Sequence, residues 1–140
     1  MRIRYSPPSE IDLEGTPVEF RVLWKDLMDA LNSGSVELTL DTETTFNPSP
    51  YQTALVRLYI HSVTGRIQVS VSEEGELTIA GPGDGLAAFA ACLVTPDDVK
   101  DGYHRHFEYW DGHAFIAPDS LPLVISVRRP LTPQTSINGV

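Results

Sequence analysis

From Val36 to Ile79 the chain alternates apolar and polar residues in one run after another, and this constrains its fold more than any other feature. Val36, Leu38 and Leu40 alternate with Glu37, Thr39 and Asp41. Val56, Leu58 and Ile60 repeat the pattern; Ile67, Val69 and Val71 follow against Gln68, Ser70 and Ser72, and Leu77 and Ile79 close the series. Successive side chains of a strand point to opposite faces, so period-two alternation describes a sheet with one covered face and one wet face. Thr64-Gly65 and Glu73-Glu74-Gly75-Glu76 read as turns. Strands are therefore expected near 36–41, 54–62 and 67–71 and at Leu77–Ile79, the last three as a meander, with Pro48 and Pro50 marking a loop over 44–53.

The cover for such a sheet is helical. Phe20, Leu23, Trp24, Leu27, Met28 and Leu31 recur at helical spacing before Asn32-Ser33-Gly34, which predicts a helix over 19–32 with Trp24 in the core. Asp84 can cap a second helix over 85–94, with Leu86, Phe89, Ala90 and Leu93 on its apolar face and small alanines allowing close packing. Residues 2–5 form a short first strand ended by Pro7-Pro8, followed by a loop; 103–110 and 121–128 supply two more strands. The order is β-α-β-β-β-β-α-β-β, with no internal repeat or linker. At 140 residues the chain suits one core. The expectation is a single α+β domain over 1–129, a largely antiparallel sheet of about six strands with two helices on one face, and a flexible tail over 130–140.

Nineteen acidic against ten basic side chains give a formal net charge of -9, which opposes approach to a phosphate backbone and favours basic partners. Nucleic acid is an unfavoured ligand; a nuclease, with its basic substrate channel, is a suitable target for an inhibitor of this kind. Cys92 is the only cysteine, so no internal disulfide forms and a reducing compartment fits. The first residues lack the apolar core of a signal peptide, and no apolar run is long enough to span a membrane. A cytoplasmic location is expected. Eight of the ten basic residues are arginine, a bias in keeping with a GC-rich bacterial genome.

Catalytic constellations are scarce. On a strand His104, His106 and Glu108 share one face, and two imidazoles with a carboxylate are a ligand set for zinc or non-haem iron. Three such positions span about 13 Å along a straight strand, too far for one ion, so the third ligand would have to come from Glu43 or His113. No bound metal and no cofactor are expected. Gly81-Pro82-Gly83-Asp84-Gly85 lacks the spacing and the lysine of a phosphate-binding loop. Asp41 and Glu43 form a two-carboxylate pair too short to specify a magnesium site, no GxSxG elbow is present, and Cys92 sits among alanines where burial suppresses a thiol's reactivity. No catalytic residue is assigned. The alternatives to a binding protein are a small metal-dependent enzyme using His104 and His106 with Glu108 or Glu43, and an accessory subunit of a bacterial complex.

One resemblance covers about residues 76–127. Glu76-Leu77-Thr78-Ile79-Ala80-Gly81 leads into Gly85-Leu86-Ala87-Ala88-Phe89-Ala90-Ala91-Cys92-Leu93; Gly102-Tyr103-His104-Arg105-His106-Phe107-Glu108 and Asp119-Ser120-Leu121-Pro122-Leu123-Val124-Ile125 follow. A strand, a glycine turn, a small-residue helix, a Gly-x-His-x-His strand and a Ser-Leu-x-Leu-x-Ile strand in this order resemble immunity proteins of bacterial polymorphic toxin systems. The resemblance implies binding and neutralising a cognate toxin without turnover, with His104 and His106 structural or at the interface. Charge and alternation then nominate Glu37, Asp41, Glu43, Glu73, Glu74, Glu76, His104, His106, Glu108 and Asp111 as the surface that meets a basic toxin. The oligomeric state is left open.

Overall fold

A computed structural model describes residues 1–96 and 98–129; the tail expected over 130–140 lies outside the described residues. In chain order the elements are β1 (Arg2–Ser6), β2 (Glu10–Gly15), α1 (Pro17–Ser33), β3 (Glu37–Asp41), β4 (Thr53–Ala54), β5 (Arg57–Ser62), β6 (Gln68–Val71), β7 (Glu76–Gly81), α2 (Gly83–Ala91), β8 (His104–Phe107) and β9 (Leu123–Val127). The α+β class is as expected. In place of one sheet of about six strands there are two, a five-stranded sheet ordered β4-β1-β2-β9-β8 and a four-stranded sheet ordered β3-β5-β7-β6. Antiparallel pairing predominates, but β2–β9 and β5–β7 run parallel.

The added strand β2 arises where a loop was expected. Ile11 and Leu13 alternate with Glu10, Asp12 and Glu14, and Pro7-Pro8 sits in a hairpin turn between β1 and β2 rather than ending the sheet. The 54–62 strand divides in two. Leu55 N–H donates to Ile3 in the five-stranded sheet, whereas Val56 N–H donates to Gly75 in the four-stranded one. The chain changes sheets between them, so Val56 leaves the buried face of Leu58 and Ile60 and is exposed.

α1 starts earlier than its apolar spacing shows because of its cap. The Thr16 hydroxyl accepts from Glu19 N–H, the Glu19 carboxylate accepts from Thr16 N–H, and Pro17 occupies the first turn. Gly34 ends the helix at φ 94, in the left-handed region that favours glycine. Phe20, Leu23 and Leu27 are buried, but Trp24, expected in the core, lies on the shoulder of the apolar stripe and is exposed. The helices do not share one face of one sheet: α1 packs on α2 and touches β2 and β3, one from each sheet, while α2 packs on β7. Both sheets and both helices contribute to one core, with Ile3, Leu13, Phe20, Ile60, Ile79 and Phe89 fully buried in it.

The expected meander is also absent. β7 lies between β5 and β6, because the segment after β5 crosses the end of β7 before turning back. Val63 N–H donates to Gly81 at 2.9 Å, and a Cβ on Gly81 would stand 2.7 Å from the Ile67 Cα. The crossing therefore requires a glycine at this position.

This crossing exposes a structural repeat, contrary to the expectation of none. Apart from the two-residue β4, which lies between β3 and β5 and adds to the edge of the five-stranded sheet, the series β1-β2-α1-β3-β5 recurs as β6-β7-α2-β8-β9, and each sheet takes two of these strands from each unit: β1-β2 with β9-β8, and β6-β7 with β5-β3. The hydrogen bond from Leu55 N–H to Ile3 (2.9 Å) recurs 66 positions on as Leu121 to Val69 (3.0 Å). That from Arg128 to Gly15 (2.8 Å) matches Val63 to Gly81 (2.9 Å). The buried residues Phe20, Leu23 and Leu27 of α1 have Leu86, Phe89 and Leu93 as counterparts, again 66 positions on. Few identities survive between the units, among them Glu10 with Glu76 and Gly15 with Gly81; what repeats is the burial pattern.

Candidate functional site

Strand alternation places Arg2 and Arg4 of β1, Glu10, Asp12 and Glu14 of β2, Ser126 of β9 and His104 and His106 of β8 on the wet face of the five-stranded sheet. Asp12 is nevertheless only 1% exposed. Its carboxylate accepts from Arg4 Nε (2.9 Å) and Nη2 (2.5 Å) and from Ser126 Oγ (2.5 Å), and Arg4 lies over the Tyr51 ring at 4.8 Å. Partial burial would lower the Arg4 pKa; the hydrogen bonds and charge of Asp12, with Glu14 adding, raise it above its ordinary value. Beside this trio Arg128 stands within 4 Å of Glu14, Glu19 and Glu43. The depression among these groups, open and about 420 Å³, is also lined by His104 and His106.

The histidines are exposed, with rings edge to face at 5.4 Å. His104 Nδ1 meets the Gly102 carbonyl at 3.2 Å and His106 Nδ1 meets Glu108 at 3.1 Å. Glu43, the other candidate third ligand, is instead held by Arg2 Nε at 2.8 Å, and that hydrogen bond keeps its carboxyl below the usual range. His113 is buried against Trp110, and its Nδ1 accepts from the backbone N–H groups of Phe115 and Ile116. Among the described residues no three His, Cys, Asp or Glu side chains converge as a metal site.

The nominated carboxylates divide between the sheets. Glu37 and Asp41 on β3 and Glu76 on β7 belong to the four-stranded sheet, where Arg57 lies between Asp41 (3.4 Å) and Glu76 (3.6 Å) and Tyr59 donates to Glu37. Glu73 and Glu74 are exposed on the β6–β7 turn. Glu43, His104, His106 and Glu108 belong with the five-stranded sheet, and Asp111 is exposed in the loop after β8. Cys92 is half-buried, which raises its thiol pKa against the opposing charge of Arg105.

Two features were not read from the sequence. The Arg4–Asp12–Ser126 trio had one signal, a carboxylate between Ile11 and Leu13. The other is an apolar groove between α1 and β3, about 350 Å³, lined by Val18, Val22, Leu38 and Leu40; its signal is that Val18 and Val22 fall off the buried stripe of α1.

No helix among the described residues is long and apolar enough to cross a membrane. No curated protein and no solved structure matches the chain. The segment that carries β7, α2, β8 and β9, the greater part of the second unit, is matched by a family model: residues 76–128 are similar to immunity protein 32.

Proposed function

We propose that this chain is an immunity protein that binds a cognate bacterial toxin in the cytoplasm and neutralises it without catalysis. The match of residues 76–128 to immunity protein 32 carries this reading. Its acidity supports a basic target: with a formal charge of -9, opposite potentials steer encounter and raise association rates at low salt. A nuclease, whose substrate channel is basic, is the target class this charge suits best. Glu37, Asp41, Glu73, Glu74 and Glu76 form the acidic side that serves such an encounter. Glu43, His104, His106, Glu108 and Asp111 offer a second polar patch around the arginine network. One domain over 1–129 carries both.

The test is a pull-down from the native bacterium followed by co-production of the chain with the captured protein, read as growth of the producing cell. Restored growth and a one-to-one complex are expected. Changing Glu37, Asp41 and Glu76 to lysine should slow association about 10-fold or more at low salt, with the difference shrinking as salt rises. Growth that stays arrested in the presence of the folded wild-type chain refutes the reading.

A further inference from the structure

The repeat allows two equivalent grooves to be compared, α1 against β3 in the first unit and α2 against β8 in the second. Ser62 N–H donates to Val36, and Val127 N–H donates to Tyr103. These matching bonds make Val36 the counterpart of Tyr103 and therefore Leu40 the counterpart of Phe107. Phe107 is 4% exposed and packs edge-on against Phe89 at 5.4 Å. Leu40, at the same inward-facing position, is 36% exposed. On the helices Val18 and Val22, 61% and 56% exposed, stand where α2 has Asp84 and Ala88. The fold thus does not require valines there, and in its second unit it covers the position that the first leaves bare.

Among the described residues nothing covers this groove, and it borders an open strand edge. β3 is the outermost strand of its sheet. Val36 and Thr42 make their backbone bonds to the β5 side, so by alternation the N–H and C=O groups of Glu37, Thr39 and Asp41 point to the free edge. Glu19, Asp26 and Asp41 line the groove beside its apolar residues. An added strand would direct alternate residues inward onto Val18, Val22, Leu38 and Leu40, and the others outward beside Glu37 and Asp41, where opposite charge across a strand pair is favourable.

We propose that this groove takes an extended segment of the partner protein in which apolar residues alternate with lysine or arginine, added along β3 as a further strand of the four-stranded sheet. That the partner is a toxin rests on the immunity reading; the chemistry of the segment rests on the groove alone. The probe is a capped seven-residue peptide alternating lysine and valine, titrated into the full-length ¹⁵N-labelled chain, with a glutamate–valine peptide as control. Saturable shifts at the Glu37, Thr39 and Asp41 amides are expected for the basic peptide, with binding at least 10-fold weaker for the control. Val22→Asp, a change at an exposed helix position, and Thr39→Pro, which removes an edge-facing N–H, should each weaken binding at least 10-fold in variants that melt as wild type does. No saturable shift, shifts centred on His104 and His106, or equal binding of the acidic peptide would overturn the proposal. The same shifts induced by raising the protein concentration alone would also overturn it, by showing a second copy in the groove. Because no toxin enters this titration, its failure leaves the growth test of the immunity reading standing, and the converse holds.

Discussion

Replacing Asp12 by threonine tests whether the Arg4–Asp12–Ser126 trio is a structural pin of the five-stranded sheet. The carboxylate is almost fully buried and accepts two bonds from Arg4 and one from Ser126. Removing one partner of a buried ion pair costs about 3–5 kcal/mol, mostly because the other charge is left without compensation. Arg4 keeps 23% of its side chain exposed and can recover part of its hydration, so the cost should fall to about 2–3 kcal/mol. For a chain of this size that is a drop in Tm of roughly 6–10 °C. The repeat supplies the compensating change: 66 positions on from Arg4 and Asp12, β6 and β7 carry Ser70 and Thr78. Adding Arg4→Ser to Asp12→Thr removes the stranded charge and should restore at least about 1 kcal/mol, a coupling that a double-mutant cycle isolates. Urea denaturation of the wild type, both single variants and the double variant gives the four stabilities. If Asp12→Thr lies within about 0.5 kcal/mol of wild type, or the double variant is no more stable than that single one, the trio is not a pin and the reasoning fails.

Two further outcomes follow from the geometry. Gly81→Ala should destabilise by about 1–3 kcal/mol through overpacking, since its Cβ meets the Ile67 backbone, whereas Gly15→Ala, whose Cβ meets side chains of Met1 and Phe20 at 3.2 Å, should cost less; equal denaturation midpoints would refute the crossover argument. Partial burial would raise the Glu19 carboxyl, but hydrogen bonds from the Met1 ammonium and Thr16 N–H, with the ammonium and Arg128 charges, hold it below its ordinary value of 4.5. A depressed folded pKa stabilises above the ordinary carboxyl range and loses that contribution as pH falls through the depressed value. Glu19→Gln should therefore lower Tm at pH 7 and narrow the Tm gap between pH 7 and pH 3; an unchanged gap would show that Glu19 is not coupled to folding.

Much of the secondary structure was legible and little of the neighbourhood was. The helical spacing from Phe20 to Leu31 located α1, and alternation located β3, β5, β6 and β7, because periodicity records which face each residue takes. Periodicity does not record which strand lies alongside. That β7 inserts between β5 and β6 depends on a backbone crossing at Gly81, a fact about space with a single glycine as its trace. β2 was missed because Asp12, between Ile11 and Leu13, and Glu14 after them look solvated, although Asp12 is buried by Arg4 and Ser126, which are far apart in sequence. Exposure of Glu37 and Asp41 was readable from alternation, but the division of the nominated carboxylates between two sheets was not. Leu40 alternates like a core residue and yet lies open, because alternation predicts an inward direction and cannot say whether anything lies above it.

The way each sheet draws two strands from each unit also governs when the molecule can come into being during synthesis. Once the first unit has left the ribosome, β2 still lacks β9 and β5 still lacks β7, so neither parallel ladder can form and no sheet is complete. At about 5–20 residues per second, the remainder takes several seconds to arrive, and until then the apolar faces of β2 and β5 await partners from the other half of the chain. The folded molecule therefore forms only once β9 has been made, and a chain cut short before it yields no half-folded version of the five-stranded sheet.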